Sequence, residues 1–355
     1  VKRCKNAFEF CSGLTRITIP DSVTEIGQDA FWGCTGLTSI EMPNGVTKIG
    51  DDAFSGCTNL TSIMIPDGVT KIGTSVFRDC SGLTSIEIPN SVTKIGNGAF
   101  SGCTSLTSIV IPDSVAKIGK GAFYGCSGLV SLLVATNNSK YRSGDANDAI
   151  YEKATNTLIV GCKSTIIPNT IEHISDFAFS YCIGLTSIVI PDSVKNIGDC
   201  AFEGCTGLTS IEILNSATSI GVGAFEGCTG LTSIEIPNSI TNIGAFTFLG
   251  CAGLTSIEIP DGVTSIGEGA FDGCTGLTSV VIPNSVTNIG KDVFFDCTGL
   301  AELHIHHQHP KLIEAEVDAF EDIAEHCTLY VPVGTGSAYR RHPVFGQFKQ
   351  VVIEK

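Results

Sequence analysis

Residues 83–105 read LTSIEIPNSVTKIGNGAFSGCTS, and close variants of this 23-residue block recur along most of the chain. Cysteine marks the interval, because two runs of six cysteines are each spaced by 23 residues: Cys11, Cys34, Cys57, Cys80, Cys103 and Cys126, then Cys182, Cys205, Cys228, Cys251, Cys274 and Cys297. A period of roughly 20–50 residues is typical of solenoids, in which each repeat forms one coil and the coils stack in a line. The sequence therefore predicts one continuous right-handed, β-rich solenoid.

Each part of the block predicts a local structure. Alternation of apolar and polar residues predicts a half-buried strand within 83–88, and Pro89 ends it because proline cannot donate to a strand ladder. A second short extended piece is expected at 92–95. Gly96 then predicts a sharp corner with positive φ. Phe100 is expected on a short helical turn, with its ring filling the coil.

The cysteines recur at one position of the repeat, which argues against a disulfide framework. Side chains on neighbouring coils run parallel to one another, whereas a disulfide needs them to point together. We interpret these residues as small buried side chains with a weak S–H donor. Any disulfide or reactive thiol is expected among the cysteines outside the ladder: Cys4, Cys162, Cys200 and Cys327.

The composition narrows the class of partner. The chain has 36 acidic and 21 basic residues, for a net charge of −15. Such a surface repels phosphate backbones and anionic lipids, so we expect no nucleic-acid partner and favour a cationic one. No apolar run approaches about 18 residues, so we expect no membrane insertion.

The recurring form I-P-[ND]-[SG]-V-T-x-I-G-x-x-A-F-x-G-C resembles the BspA-type (Treponema-type) leucine-rich repeats. Residues 138–153 resemble the hairpin insertion of that family, and 327–348 resemble a C-terminal cap of related gut bacterial proteins. The resemblance implies a leucine-rich repeat solenoid, mainly β with short helical turns. It also implies a secreted or cell-surface protein of a host-associated bacterium, with adhesion to host matrix proteins or other microbes as the role assigned to some members. No site residues travel with it.

The repeat pattern divides the chain into two expected parts. Residues 1–326 form a solenoid of about twelve coils with an insertion at about 135–165, and 327–355 form a cap of strand, helix and strand. Within the insertion, 135–149 is polar and is expected to be a loop, followed by a hairpin of 149–152 and 157–160. The chain begins at Val1 without a methionine and within a repeat, so we interpret it as a fragment of a longer protein.

Two rows of outward strand positions should line one broad face, which is the expected recognition surface. The first row is nearly constant serine, and the second varies from Thr18 to His304. Candidate binding residues are the glutamates of the second row and two aspartates of the loop: Glu41, Glu87, Glu212, Glu235, Glu258, Asp145 and Asp148. Glu212, Glu235 and Glu258 should stack, and like charges this close repel. They form either a solvated acidic stripe or a site for a cation or a basic partner.

A further row, on the other extended piece of each repeat, carries positive charge in the first block. Lysine occupies one position of the other extended piece in the first block of repeats, and asparagine or serine replaces it in the second block. The first set is Lys48, Lys71, Lys94 and Lys117, and the second is Asn196, Ser219, Asn242, Ser265 and Asn288. The lysines serve either solubility or the binding of an anion.

Metal and catalytic sites are not expected. Four histidines fall within 304–309, but their spacing lacks a loop that would gather four ligands in a tetrahedron. The loop around Asp145, Asn147 and Asp148 lacks the glutamate of a calcium loop. The sequence contains no nucleophile elbow, zinc-protease motif or phosphate loop, so we predict neither enzyme activity nor a cofactor.

The favoured function is an extracellular or cell-surface interaction or adhesion module that binds a protein through its strand face or its insertion loop. The alternative is a structural spacer that displays another domain of the parent protein. Glycan binding is a weaker third option, because Trp32 is the only tryptophan and outward aromatic residues are few. The sequence does not determine the ligand or the oligomeric state.

Overall fold

The computed structural model describes residues 5–146 and 148–354. These residues fall into two compact units. The first unit runs through Thr165 and includes Phe177–Cys182, and the second comprises Ile166–Asp176 and the chain from Ile183 onward. Cys4 and Asn147, which the sequence analysis singled out, lie outside the described residues.

The first unit is a stack of short parallel strands. Pairing joins residues 23 apart, as between Arg16 and Ser39 or between Ser62 and Ser85, so each coil hydrogen-bonds to the next one. The strands in chain order are β1 (Arg16–Thr18), β2 (Glu25–Ile26), β3 (Ser39–Glu41), β4 (Lys48–Ile49), β5 (Ser62–Met64), β6 (Lys71–Ile72), β7 (Ser85–Glu87), β8 (Lys94–Ile95), β9 (Ser108–Ile111), β10 (Lys117–Ile118), β11 (Ser131–Val134), β12 (Tyr141–Ser143), β13 (Ala149–Glu152) and β14 (Thr157–Gly161).

The second unit repeats this arrangement, again with a 23-residue register. Its strands are β15 (His173–Ile174), β16 (Ser187–Ile190), β17 (Asn196–Ile197), β18 (Ser210–Ile213), β19 (Ser219–Ile220), β20 (Ser233–Ile234), β21 (Asn242–Ile243), β22 (Ser256–Glu258), β23 (Ser265–Ile266), β24 (Ser279–Ile282), β25 (Asn288–Ile289), β26 (Glu302–Ile305), β27 (Glu314–Ala315), β28 (Thr328–Val331) and β29 (Gln350–Ile353). The chain therefore has the predicted solenoid fold. It contains about 15 turns, where the repeat pattern predicts about twelve.

The C-terminal segment contains the predicted strand, helix and strand. Helix α1 spans Gly336–Arg340, and short 3-10 helices lie at Pro310–Leu312 and Phe345–Gln347. Strand β28 pairs in parallel with β26, and β29 pairs in parallel with β28. The segment thus extends the sheet of the second unit by two strands. Its status as a separate domain from residue 327 stays a prediction.

Phenylalanine rings form a stacked column inside each unit. In the first unit the ring centroids of Phe54 and Phe77 are 5.7 Å apart and the planes differ by 7°. In the second unit the centroids of Phe248 and Phe271 are 5.5 Å apart and the planes differ by 5°. These four rings are fully buried, so each coil buries an aromatic ring against the ring of the next coil.

The ladder cysteines are buried side chains, as predicted, with the exception of exposed Cys11. The cysteines that the structure describes are thiols and not disulfides. Cys57 donates its S–H to the carbonyl oxygen of Phe31, with 3.2 Å between Sγ and O. Off the ladder, Cys162 and Cys327 are buried and Cys200 is half-buried.

The corner glycine differs from the sequence prediction. Positive φ occurs at Gly98 (58°) and Gly102 (74°), and Gly96 does not have it. Gly96 is required for space instead, because a Cβ there would lie 2.3 Å from the carbonyl oxygen of Gly73 in the preceding coil. The positive φ values also keep the segment around Phe100 in hydrogen-bonded turns and not in a helix.

The insertion is more ordered than predicted. The hairpin of β13 and β14 is present, but Tyr141–Ser143 adds a third antiparallel strand within the expected loop. Asn138 is 1% exposed, and its side-chain amide donates to the carbonyl oxygens of Pro112 and Val115. Its Oδ1 accepts from the backbone N–H of Tyr141, so one polar residue fixes the segment.

Candidate interaction surface

The strand face has the predicted alternation. In β7 the side chains of Ser85 and Glu87 are exposed while Ile86 is buried, and the same pattern recurs along both units. The exposed positions of successive strands align because the strands pair in register. Each unit therefore presents a serine row beside a row of varied residues.

The varied row of the second unit is acidic at its centre. Glu235 and Glu258 face each other directly in a parallel bridge, and the register of β18 with β20 continues to place Glu212 beside Glu235. All three side chains are exposed. Neighbouring strands are about 4.8 Å apart, so the three carboxylates repel one another. Within the described chain, no ion pair involves any of them. We call Glu212, Glu235 and Glu258 the acidic row.

Apolar side chains lie at both ends of the acidic row. Val189 pairs with Glu212 and is 52% exposed, and Val281 pairs with Glu258 and is 38% exposed. Sequence reasoning did not select these valines as binding residues. Their departure from glutamate within an otherwise constant repeat was the available signal. The row therefore offers a charged centre with an apolar contact at each end.

The varied row of the first unit does not stack its glutamates. Glu41 pairs with Thr18, and Glu87 pairs with Met64, so an exposed methionine separates the two carboxylates. Met64 is 76% exposed and Val110 is 50% exposed. A groove of about 950 Å³ is lined by residues that include Met64, Glu87 and Val110. This face is mixed in character and not acidic.

The two aspartates of the insertion have different surroundings. Asp145 is exposed. Asp148 is 4% exposed, and its backbone carbonyl accepts a hydrogen bond from the hydroxyl of Thr165 at 2.6 Å. The carboxylate of Asp148 is therefore not on the surface that a partner would meet.

The histidines at 304–309 have separate partners. The Nδ1 of His304 lies 2.7 Å from a carboxylate oxygen of Glu354, and its ring stacks on Tyr330. His307 is 6% exposed, and burial lowers its pKa below the usual value. Among residues 5–146 and 148–354, no group of three or more His, Cys, Asp or Glu side chains could hold a metal ion.

The turn side of each unit carries a patch of aspartates. In the second unit, burial and then the charges of Asp292, Asp296 and Asp322 raise the pKa of Asp272. In the first unit, burial and then the charges of Asp29 and Asp51 raise the pKa of Asp52. These raised pKa values mean that the fold tolerates an electrostatic penalty.

None of the helices in the described part of the chain could cross a membrane.

Comparison with known families identifies the repeat. The family model described as BspA type Leucine rich repeat region matches residues 2–130, 159–251 and 201–325. The chain belongs to the BspA-type leucine-rich repeat family. The resemblance that the repeat pattern predicts is thus confirmed, and the matched ranges cover both blocks of repeats. Comparison with curated proteins gives no significant match.

Solved structures of bacterial leucine-rich repeat proteins are similar. A leucine rich cell surface protein from Faecalibacterium prausnitzii has 34% identity and a TM-score of 0.67, covering 85% of this chain and 82% of that one. A leucine-rich repeat protein from Eubacterium ventriosum has 26% identity and a TM-score of 0.65, covering 79% and 82%. One from Bacteroides ovatus has 30% identity and a TM-score of 0.54, covering 97% and 93%. The relatives of this chain thus include a bacterial cell-surface protein.

Proposed function

We propose that this BspA-type chain is a secreted or cell-surface interaction module that binds a basic patch of a partner protein through the acidic row. The observation that carries the proposal is the stack of Glu212, Glu235 and Glu258, which is exposed and has no ion-pair partner within the described residues. A basic surface would relieve the repulsion between these carboxylates. The similarity to a cell-surface protein of Faecalibacterium prausnitzii supports the location.

The flanking valines define what such a partner needs. Val189 and Val281 are half-exposed at the two ends of the row, so the partner surface should combine central lysine or arginine with apolar edges. Interfaces combine polar and apolar contacts, and complementary charges accelerate the encounter between partners. A host matrix protein with a basic segment or a protein on another microbe fits this description. The insertion, with exposed Asp145, stays a second predicted contact region.

The test is a binding screen of the purified chain against immobilised host matrix proteins and mucins at physiological salt. The triple variant Glu212→Lys, Glu235→Lys and Glu258→Lys reverses the row. Exposed ion pairs contribute up to about 1 kcal/mol each, so loss of three pairs should weaken binding about tenfold or more. A matched control reverses three exposed glutamates elsewhere in the second unit: Glu268→Lys, Glu316→Lys and Glu321→Lys.

The two variants separate the row from overall charge. Retained binding in the control and lost binding in the row variant would support the proposal. Equal losses would show that net charge alone governs binding and would overturn the assignment to the row. A wild-type chain that folds, by circular dichroism, but binds no member of the panel would favour the spacer function instead.

A further inference from the structure

Four lysines occupy the same position in four successive coils of the first unit. Lys48, Lys71, Lys94 and Lys117 each begin a two-residue strand, and all four side chains are exposed. Lys71 pairs with Lys94, and Lys94 pairs with Lys117, in the parallel register. Neighbouring strands lie about 4.8 Å apart, so the row spans about 14 Å. We call these four residues the lysine row.

The lysine row has no neutralising ion pair among residues 5–146 and 148–354. Glu25 pairs with Lys48 in the strand register, at one end of the row. Further along, each lysine has a lysine beside it, and like charges directly opposite on neighbouring strands are destabilising. The first unit therefore maintains an unfavourable arrangement of charge.

The second unit shows that the coil does not require lysine at this position. The equivalent residues are neutral and bond to one another from coil to coil. Ser219 donates its hydroxyl to Oδ1 of Asn196 at 2.6 Å, and Ser265 donates to Oδ1 of Asn242 at 2.6 Å. Hydrogen-bonded pairs of neutral residues thus replace the repelling row in the second unit. The lysines cannot be explained by folding of the repeat.

The charge of the chain is also unevenly divided. The first unit holds 14 basic and 14 acidic residues, whereas the second holds 7 basic and 22 acidic ones. The whole net charge of −15 therefore belongs to the second unit. Screening limits the reach of exposed charges to about 8 Å at physiological salt. The total charge of the chain predicts that anions are repelled, but this prediction does not apply to the surface around the lysine row.

We propose that the lysine row binds a linear sulfated polysaccharide. Its charges recur at about 4.8 Å, an interval close to the advance of one pyranose ring along an extended glycan. An extended acidic peptide fits less well, because side chains on one face of it are about 6.6 Å apart. Single-stranded nucleic acid is bound through aromatic platforms, and β4, β6, β8 and β10 contain only lysine and isoleucine. This site lies on a different unit from the acidic row and does not rest on the function proposed above.

A sulfated polysaccharide is also compatible with the small number of outward aromatic residues, which disfavours glycan binding in general. Neutral sugars are held mainly by stacking on aromatic faces, which this chain offers sparingly. Sulfate groups are held by point charges, and lysine is such a charge on a flexible stem. The scarcity of outward aromatic residues therefore argues against neutral glycans and leaves sulfated ones as the better ligand.

The experiment measures binding of the full chain to immobilised heparin dodecasaccharide across a series of NaCl concentrations. The row variant carries Lys48→Asn, Lys71→Ser, Lys94→Asn and Lys117→Ser, which copies the neutral residues of the second unit. A control variant removes four scattered exposed lysines that have the same total charge: Lys5→Asn, Lys140→Ser, Lys163→Asn and Lys311→Ser. Thermal melts of both variants establish that they fold.

The expected result is at least a tenfold loss of affinity in the row variant and less than about a twofold change in the control. A plot of log affinity against log salt has a negative slope, and in the row variant its magnitude should decrease by about 3. This value takes about 0.7 for each of the four contacts with a phosphate-like charge on a single strand. Absence of wild-type binding at low salt would overturn the proposal, as would equal losses in the two variants. Equal binding of poly-L-glutamate or single-stranded DNA would overturn the assignment to sulfated polysaccharide.

Discussion

The thiol of Cys80 donates its hydrogen to the backbone carbonyl oxygen of Phe54, with 3.1 Å between sulfur and oxygen. The same carbonyl also accepts the backbone N–H of Cys57, so it has two donors from two successive coils. In the second unit Cys251 makes the equivalent bond to Phe225, again at 3.1 Å. The ladder cysteine thus fills space in the core and links its coil to the preceding one.

Replacing a ladder cysteine should weaken the stack. Cys80→Ala removes the thiol donor and leaves a small cavity, so we expect the free energy of unfolding to fall by about 1–2 kcal/mol. Cys11→Ala is the matched control, because Cys11 occupies the same repeat position but is exposed, and it should change stability by less than about 0.5 kcal/mol. Denaturant unfolding under reducing conditions measures both. Similar losses would show that burial of the thiol contributes nothing.

The thiols should differ sharply in reactivity. Burial raises the pKa of Cys80 well above its usual value, and burial and then Glu203 raise the pKa of Cys200 to about 12. Only the thiolate reacts with aromatic disulfides. In a Cys4→Ser background at pH 8, we expect one fast thiol, which is Cys11.

Adding Cys11→Ser to that background should remove the fast phase completely. Time-resolved absorbance after addition of Ellman's reagent measures both proteins. A fast phase that remains in the double variant would mean that the ladder opens readily, contrary to the buried packing that the structure shows.

Two glycines two residues apart should differ in their sensitivity to substitution. Gly96→Ala places a methyl group against the backbone of Gly73, so we expect destabilisation of about 3 kcal/mol or more. Gly98→Asn should change stability by less than about 0.5 kcal/mol, since asparagine tolerates positive φ and Asp29 and Asp52 adopt it at the equivalent position. Thermal or urea unfolding compares the variants. The reverse order would restore the original prediction that Gly96 serves the turn.

Removing the charge of Asp272 should stabilise the protein at neutral pH. Its folded-state pKa is raised, so the ionised form is disfavoured, and this penalty is present above the folded pKa and relieved as pH falls through it. Asp272→Asn should therefore gain up to about 1 kcal/mol at pH 7 after allowance for solvent screening. The gain should disappear at a pH below the ordinary aspartate value of 3.8.

Asp261→Asn is the control for that prediction, because Asp261 is an exposed turn residue of the same unit. It removes the same charge without relieving the aspartate patch, so it should shift the melting temperature little across the pH range. An equal gain in both variants would indicate that total charge, and not the local patch, destabilises the second unit.

The repeat period made the fold predictable to the level of individual pairs. A constant spacing of 23 residues fixes which residues face each other, and Arg16 with Ser39 follows it directly. The insertion was less predictable because its order comes from Asn138, whose buried amide bonds cannot be recognised from a polar composition. The role of Gly96 was predicted wrongly for a related reason. A close approach between coils and a turn with positive φ both require glycine, so the residue type alone does not distinguish them.

The positions of the surface residues were predictable, but the burial of individual carboxylates and their ion pairs were not. Alternation placed Glu212, Glu235 and Glu258 on the outside, and the register stacked them. The burial of Asp148 depends on how the insertion packs, which no local pattern encodes. Among the described residues the lysine row has no ion-pair partner, and this property of the folded surface cannot be predicted from the repeat.

The thiol-to-carbonyl bonds and the strand ladder both run from one coil to the next within each unit. A tensile load applied along the stack would act on these bonds in series, so that each coil bears the full force and the weakest junction opens first. Extension would then proceed one 23-residue coil at a time, with a sawtooth of small releases in place of a single rupture. A stack built in this way would dissipate a tensile load over many small openings.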